Sequence, residues 1–148
     1  MEVWELVARE CIRDTVARYN HAGDSGRYAA MVDCFAADGV LTIVGDGSVS
    51  IVEDGEYRGQ AALHEFFSGV IGTASAEITH VRHCISNLCI EIESPTTATA
   101  KSYFHVITDV GLDHWGRYRD RFVGGNDGWL LEHRSVKTDG YAPNSLFR

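Results

Sequence analysis

The sequence predicts an α+β fold in which three helices pack on one face of a curved antiparallel sheet. Three observations support this prediction. Helical periodicity dominates the first half of the chain, whereas short turns join successive strands in the second half. In a long strand near the middle of the chain, the apolar side chains switch from one face to the other, which is typical of a strand with a bulge. A bulge bends a sheet, and a bent sheet closed by helices encloses a concave interior.

The helices are predicted at residues 2–22, 26–37 and 60–71, where apolar side chains recur at three- and four-residue steps. Gly23 suits the end of the first helix. Asp24 then begins a short turn that leads into the second helix. The order helix, helix, strand, helix places all three helices before the main run of strands.

The strands are predicted at 40–44, 78–93, 97–110, 114–123 and 129–138, while 48–58 is ambiguous between strand and loop. In the strand at 78–93, the residues on one face are Val81, His83 and Ile85, and those on the other are Leu88, Ile90 and Ile92. This change of apolar face predicts a bulge near Ser86 and Asn87.

Composition excludes several classes of function. The 148 residues suit a single domain, 1–148, and 45% hydrophobic residues are typical of a soluble globular protein. The net charge of −8 argues against nucleic acid or an anionic membrane as a partner. The acidic start of the chain does not resemble a signal peptide. Together with four cysteines that form no Cys-x-x-Cys pair, this indicates a cytoplasmic protein with reduced thiols.

His83 is the principal catalytic candidate, because it shares a face with Val81 and Ile85 and because imidazole is the side-chain type that needs least tuning to act as a base or an acid. A core histidine bonded to a backbone carbonyl is the alternative. Asp24 is the second candidate, with an ordinary turn residue as its alternative. His80 and His83 fall on opposite faces of a regular strand, so no metal site is expected.

Other strand residues could line a pocket. Tyr118 and Asp120 alternate onto one face of their strand. The opposite face carries Arg117, Arg119 and Arg121, which predict a solvated or subunit-contact surface rather than an anion site. No phosphate loop, dinucleotide fingerprint or nucleophile elbow is present in the sequence, and we expect no cofactor.

Several motifs, in order and spacing, resemble the SnoaL-like branch of the nuclear-transport-factor-2-like superfamily. They include the segment ARYNHAGD and cover nearly the whole chain. In order, they are 17–24, Tyr28, 35–39, 57–59, 82–83 with Asn87, 116–122 and 127–129. Within the superfamily, the pattern is most similar to scytalone dehydratase and hexachlorocyclohexane dehydrochlorinase. The resemblance implies a cone-shaped sheet of the NTF2-like, cystatin-like type with a deep apolar pocket.

The resemblance also implies a His–Asp dyad, with the family histidine at His83 and the family aspartate at Asp24. Asp24 would orient the ring and stabilise the imidazolium, while His83 removes a carbon-bound proton without metal or cofactor. The residues expected to contact the substrate are Tyr19, Tyr28, Phe35, Tyr118 and Asp120. One departure is that the arginine of the dehydrochlorinase falls near Gly124, so its leaving-group contact is missing.

These features predict a cofactor-independent lyase or isomerase of the dehydratase, dehydrohalogenase or cyclase type, acting on a small apolar cyclic or polyketide-like molecule. The alternative is a non-catalytic binder or a subunit like the β-subunit of ring-hydroxylating dioxygenases, which a long His–Asp gap or a filled pocket would favour. Epoxide hydrolysis needs an Asp–Arg–Asp arrangement. Asp109 and Asp120 are available, but no arginine is predicted on their face. We also expect a homo-oligomer, either a dimer or a trimer.

Overall fold

The structure, a computed structural model, describes residues 1–45, 47, 52–125 and 128–148. Part of the ambiguous segment 48–58 and part of the predicted hairpin loop, with Asp127 of the resemblance, lie outside the described residues. Within the described ranges, helices α1 and α2 span Val3–Asp24 and Tyr28–Val32. A third helix, α3, runs from Gln60–Glu65 through a π-helical stretch, Phe66–Ile71, into a last turn at Gly72–Ala74.

The six strands form one sheet in the order β2-β1-β6-β5-β4-β3. Their bounds are Phe35–Val44 (β1), Gly55–Arg58 (β2), Arg82–Ser94 (β3), Thr97–Thr108 (β4), Gly111–Gly125 (β5) and Gly128–Tyr141 (β6). β1 and β6 are parallel, and every other neighbouring pair is antiparallel. The predicted α+β class with helices on a curved sheet is therefore confirmed.

Helix α1 is fixed to the sheet by side chains that bond to strand backbone. The Thr15 hydroxyl donates to the Trp129 carbonyl at 2.7 Å, and the Arg9 guanidinium donates to the Ile90 carbonyl at 2.7 Å. Ile12 and Val16 of the same helix are buried in the core. These contacts set the direction in which α1 crosses the sheet, and so they set where its last residue lies. None of the described helices is long and apolar enough to cross a membrane.

The second helix is shorter than predicted, and the expected helical range 26–37 is wrong at its carboxyl end. The chain leaves the helix after Val32, and β1 begins at Phe35. The amide of Leu131 donates to the Cys34 carbonyl at 2.8 Å, and Phe35 pairs with Leu131. Phe35 is buried, and an apolar residue suits a buried position in a helix or in a strand, so its apolar character could not distinguish the two. Pairing with β6 therefore places Phe35 in a strand.

The predicted bulge in the long strand is confirmed. The register of β3 against β4 shifts between Ser86 and Cys89, and Asn87 takes a positive φ of 53°. Asparagine tolerates this left-handed conformation better than most residues. Before the bulge, His83 lines an interior cavity together with Met31 of α2 and Phe66 of α3. After it, Ile90 is buried in the core that includes α1.

A buried ion pair lies inside the curved sheet. The Arg134 guanidinium donates two hydrogen bonds to the Asp120 carboxylate, at 2.8 and 2.7 Å, and both side chains are 0% exposed. The central carbon of the Arg134 guanidinium, Cζ, lies 4.3 Å from the centre of the Tyr19 ring and 4.1 Å from the centre of the Tyr118 ring. The expectation that no arginine lies on the face of Asp120 is therefore wrong. Strand pairing places Arg134 opposite Asp120, and this register is not encoded in either strand alone.

We expect Asp120→Ala to lower the free energy of unfolding by about 3–5 kcal/mol, because it leaves the Arg134 charge buried without its partner. Urea denaturation followed by circular dichroism measures this loss. The matched control is Asp14→Ala, which removes the exposed ion pair with Arg18 and should cost no more than about 1 kcal/mol. Equal losses for the two variants would contradict a structural role for the buried pair.

Candidate active site

The helices and the concave face of the sheet enclose a cavity of about 370 Å³. This volume falls in the range of small-molecule sites. Most of the wall is apolar, and the apolar side chains that form it include Met31, Leu41, Ile43, Phe66, Phe67, Ile71, Val81, Phe104 and Val136. The polar side chains on the wall include Asp24, His83, His114 and Tyr118.

His83 and Asp24 form a closed pair on this wall. Asp24 is the last residue of α1, and His83 is the second residue of β3. One carboxylate oxygen, Oδ1, lies 2.6 Å from Nδ1 of the imidazole, and the other, Oδ2, accepts a hydrogen bond from the His83 backbone N–H at 3.0 Å. The side chain of Asp24 is 11% exposed and that of His83 is 28% exposed. The carboxylate therefore fixes both the backbone and the ring of one residue.

The short contact at Nδ1 determines the chemistry of the ring. A carboxylate only accepts, so Nδ1 carries the proton and Nε2 carries the lone pair. In the described chain, no hydrogen bond engages Nε2 of His83. The carboxyl end of α1 lies beside the ring, and a helix carboxyl end favours a cation by about 0.3–1 kcal/mol. The surroundings therefore suit a base that becomes an imidazolium.

Two buried tyrosines lie on the cavity wall. Tyr19 and Tyr118 both line the cavity, and the Tyr118 hydroxyl lies 3.4 Å from Oδ1 of Asn20. Burial raises the pKa of Tyr19 to about 12, although Arg134 opposes the shift. Burial also raises the pKa of Tyr118. Both hydroxyls therefore stay protonated at physiological pH, and Tyr118 donates its hydroxyl proton to Asn20.

Three of the five residues predicted to contact the substrate line the cavity: Tyr19, Tyr28 and Tyr118. Phe35 and Asp120 lie outside its wall. Phe35 is buried in the core with its ring centre 6.0 Å from that of Tyr19, and Asp120 is occupied by Arg134. Strand alternation identified the correct face for Asp120, but it could not reveal that Tyr19 and Tyr118 separate this residue from the cavity.

His80 also lines the cavity, which contradicts its expected place on the face opposite His83. It precedes β3, so strand alternation does not apply to it, and Asp109 accepts hydrogen bonds from the backbone of Thr79 and His80. Across the ranges that the structure describes, no group of three or more His, Cys, Asp or Glu side chains is placed to hold a metal ion.

A third histidine on the wall, His114, was not predicted from the sequence. Its Nδ1 lies 2.8 Å from Oδ1 of Asp113, which is fully buried. Burial lowers the pKa of His114 and outweighs the opposing effect of Asp113. The adjacent letters Asp-His at the start of a predicted strand were the available signal, but only the sheet register places them beside the cavity.

Comparisons with known proteins agree with this architecture. The family model described as a SnoaL-like domain matches residues 4–135, whereas no curated protein matches the sequence significantly. An NTF2-like protein with a cystatin-like fold from Novosphingobium aromaticivorans is 27% identical, with a TM-score of 0.76 over 93% of this chain and 86% of that one.

Two other solved structures share the fold at lower identity. One is LinA, which is 17% identical with a TM-score of 0.78 over 95% of this chain and 92% of that one. The other is a candidate scytalone dehydratase from Novosphingobium aromaticivorans DSM 12444, which is 21% identical with a TM-score of 0.74 over 98% of this chain and 95% of that one.

We expect Asp24→Ala to abolish the protected ring N–H signal of His83 in proton NMR spectra, because the variant removes the acceptor that shields Nδ1–H from solvent exchange. Asp109→Ala is the matched control, since it removes the carboxylate beside His80 and leaves the His83 pair intact. Persistence of the His83 signal in Asp24→Ala would show that the carboxylate does not hold the ring in solution.

Proposed function

The chain belongs to the SnoaL-like domain family, and from that premise we propose that it is a cofactor-independent lyase or isomerase that removes a carbon-bound proton. The observation that carries this proposal is the 2.6 Å contact between Asp24 and His83 on the wall of an apolar cavity. A base with a fixed ring and an open lone pair is what carbon deprotonation requires.

In the proposed step, Nε2 of His83 takes a proton from a carbon beside a carbonyl or a leaving group. The electron pair of the broken C–H bond either moves into the carbonyl to give an enol or enolate, or it expels the leaving group and forms a double bond. His83 becomes an imidazolium, and Asp24 stabilises that charge through the Nδ1 hydrogen bond. Return of the proton to another carbon gives isomerisation, and loss of the leaving group gives elimination.

The cavity wall supports a small, mostly apolar substrate. The cavity volume of about 370 Å³ accommodates one or two fused rings, and the apolar side chains of the wall favour a cyclic or polyketide-like skeleton. The protonated hydroxyl of Tyr19 is the candidate donor to a substrate carbonyl, because the Tyr118 hydroxyl already donates to Oδ1 of Asn20. Such a donor stabilises negative charge that develops on oxygen as the proton leaves carbon.

The alternative of a non-catalytic binder or dioxygenase-type subunit has less support. A long His–Asp distance or a pocket filled with side chains would favour this alternative. The distance from His83 Nδ1 to Asp24 Oδ1 is instead 2.6 Å, and the cavity is not filled. Epoxide hydrolysis is also weakly supported, although Arg134 adjoins Asp120. Neither of these residues lines the cavity, and Asp109 binds the backbone of Thr79 and His80.

We further propose that the protein self-associates through the outer face of its sheet. Tyr103 is 58% exposed and Trp115 is 38% exposed on neighbouring strands of that face. Large exposed aromatic residues are enriched at interfaces between proteins. Sedimentation velocity should report a species heavier than one chain, and Trp115→Glu should lower its mass. A monomer at all concentrations would contradict this proposal.

We expect His83→Ala to lose at least about 10²–10⁴-fold in the rate of proton abstraction, because a positioned base contributes that much. The assay follows deuterium uptake or elimination in heavy water, by NMR and mass spectrometry, with cyclic ketones, hydroxy-ketones and chlorinated rings. His64→Ala is the matched control, since His64 is exposed and outside the cavity. A folded His83→Ala variant with wild-type turnover would refute the proposed base.

A further inference from the structure

The sheet register places His114 in one row with His83. His83 pairs with Val106 on β4, Val106 pairs with His114 on β5, and His114 pairs with Tyr141 on β6. Directly paired residues in a sheet project to the same face. The two histidines therefore stand on the same concave face, two strand spacings or about 10 Å apart at the backbone, and both line the cavity.

Four side chains contact the ring of His114. Its Nδ1 bonds to Asp113, and its ring centre lies 5.0 Å from that of Phe147, 5.6 Å from that of Tyr141 and 6.2 Å from that of Phe104. The side chain is 13% exposed. In the part of the chain that the structure describes, no hydrogen bond engages its Nε2. Within the described chain, Nε2 of this cavity-wall residue is therefore the ring nitrogen that has no hydrogen-bond partner.

Asp113 is built to remain a carboxylate. It accepts hydrogen bonds from the Thr108 hydroxyl at 3.0 Å, the Ser145 hydroxyl at 2.6 Å and the Leu146 backbone N–H at 2.8 Å, in addition to its contact with His114. Burial would raise the pKa of Asp113, but these hydrogen bonds outweigh it and lower the pKa. An ionised Asp113 only accepts, so it keeps the proton of His114 on Nδ1.

The tautomer of His114 follows from these contacts. The pKa of His114 is lowered, chiefly by burial, so the ring is neutral at neutral pH. With the proton on Nδ1, Nε2 presents a lone pair to the cavity and accepts hydrogen bonds but cannot donate them. When a ligand displaces water from the cavity, such an acceptor costs free energy unless the ligand supplies a donor.

We propose that His114 is a specificity-determining residue whose Nε2 accepts a hydrogen bond from a hydroxyl group of the substrate. This inference rests on the proposed function, and it narrows the substrate class to hydroxylated cyclic ketones or related ring compounds. The hydroxyl lies across the ring system from the C–H bond that His83 attacks. A ligand without that hydroxyl leaves Nε2 unpaired, which should weaken binding by about tenfold or more.

The test measures binding selectivity by isothermal titration calorimetry. The probes are 1-tetralone and its 5-, 6- and 7-hydroxy derivatives, together with the corresponding methoxy ketones, which can accept but not donate a hydrogen bond. The variants are His114→Phe, which keeps a ring but loses the acceptor, and His114→Gln, which restores an acceptor. His105→Phe is the matched control, because His105 neighbours Val106 on β4 and lies outside the cavity wall.

We expect wild type and His105→Phe to bind at least one hydroxy ketone about tenfold more tightly than both 1-tetralone and its methoxy counterpart. His114→Phe should bind all three alike, and His114→Gln should recover part of the preference. Equal affinities for the wild type, a methoxy ketone that binds as tightly as the hydroxy ketone, or a preference retained by His114→Phe would each overturn the inference.

Folding of the variants does not limit the test. If His114→Phe fails to fold, the ¹⁵N shift of Nε2 in wild-type His114 should change on addition of the preferred hydroxy ketone and not of 1-tetralone, and an unchanged shift would overturn the inference. Deuterium uptake by wild type is measured separately. Hydroxyl-selective binding without uptake would refute the proposed catalysis alone, whereas uptake without selectivity would refute the role of His114 alone.

Discussion

The Asp24 carboxylate is the constraint on which the site depends, because it joins the end of α1 to the start of β3. One oxygen bonds to the backbone of His83 and the other to its ring. A carboxylate at a helix carboxyl end is electrostatically unfavourable. The two hydrogen bonds that Asp24 accepts offset this unfavourable energy. The same contacts leave Nε2 as the open nitrogen of the ring. The Asp24 side chain therefore both connects α1 to β3 and orients the proposed catalytic base.

Behind the dyad, the buried pair of Arg134 and Asp120 supports the cavity wall. The guanidinium lies against the rings of Tyr19 and Tyr118, which separate it from the cavity. A buried charge pair often contributes little net stability compared with apolar residues. Its effect here is positional, because the cation holds two protonated tyrosines at the wall. The buried ion pair therefore lies behind the two tyrosines, and the wall that faces a ligand is largely apolar apart from the dyad.

Local pattern predicted most of the fold, whereas the pairing of His83 with Asp24 came from the family resemblance. The alternation around His83 indicated both the bulge and the inward face, and the resemblance identified Asp24 as its partner. The end of α2, the contact of Arg134 with Asp120 and the position of His114 were not predictable, because each depends on which strand pairs with which residue. Helix and strand periodicity describe single elements, whereas strand register is a property of the assembled sheet.

The central claim is that His83 is a base fixed on one side of a bound molecule. The most direct test is the stereochemistry of deuterium uptake at the carbon beside the carbonyl of a cyclic ketone, measured with wild-type protein in heavy water. A fixed base reaches one of the two hydrogens on that carbon, so the account predicts a singly deuterated ketone strongly enriched in one enantiomer. Equal exchange of both hydrogens, at the rate seen in buffer alone, would contradict it.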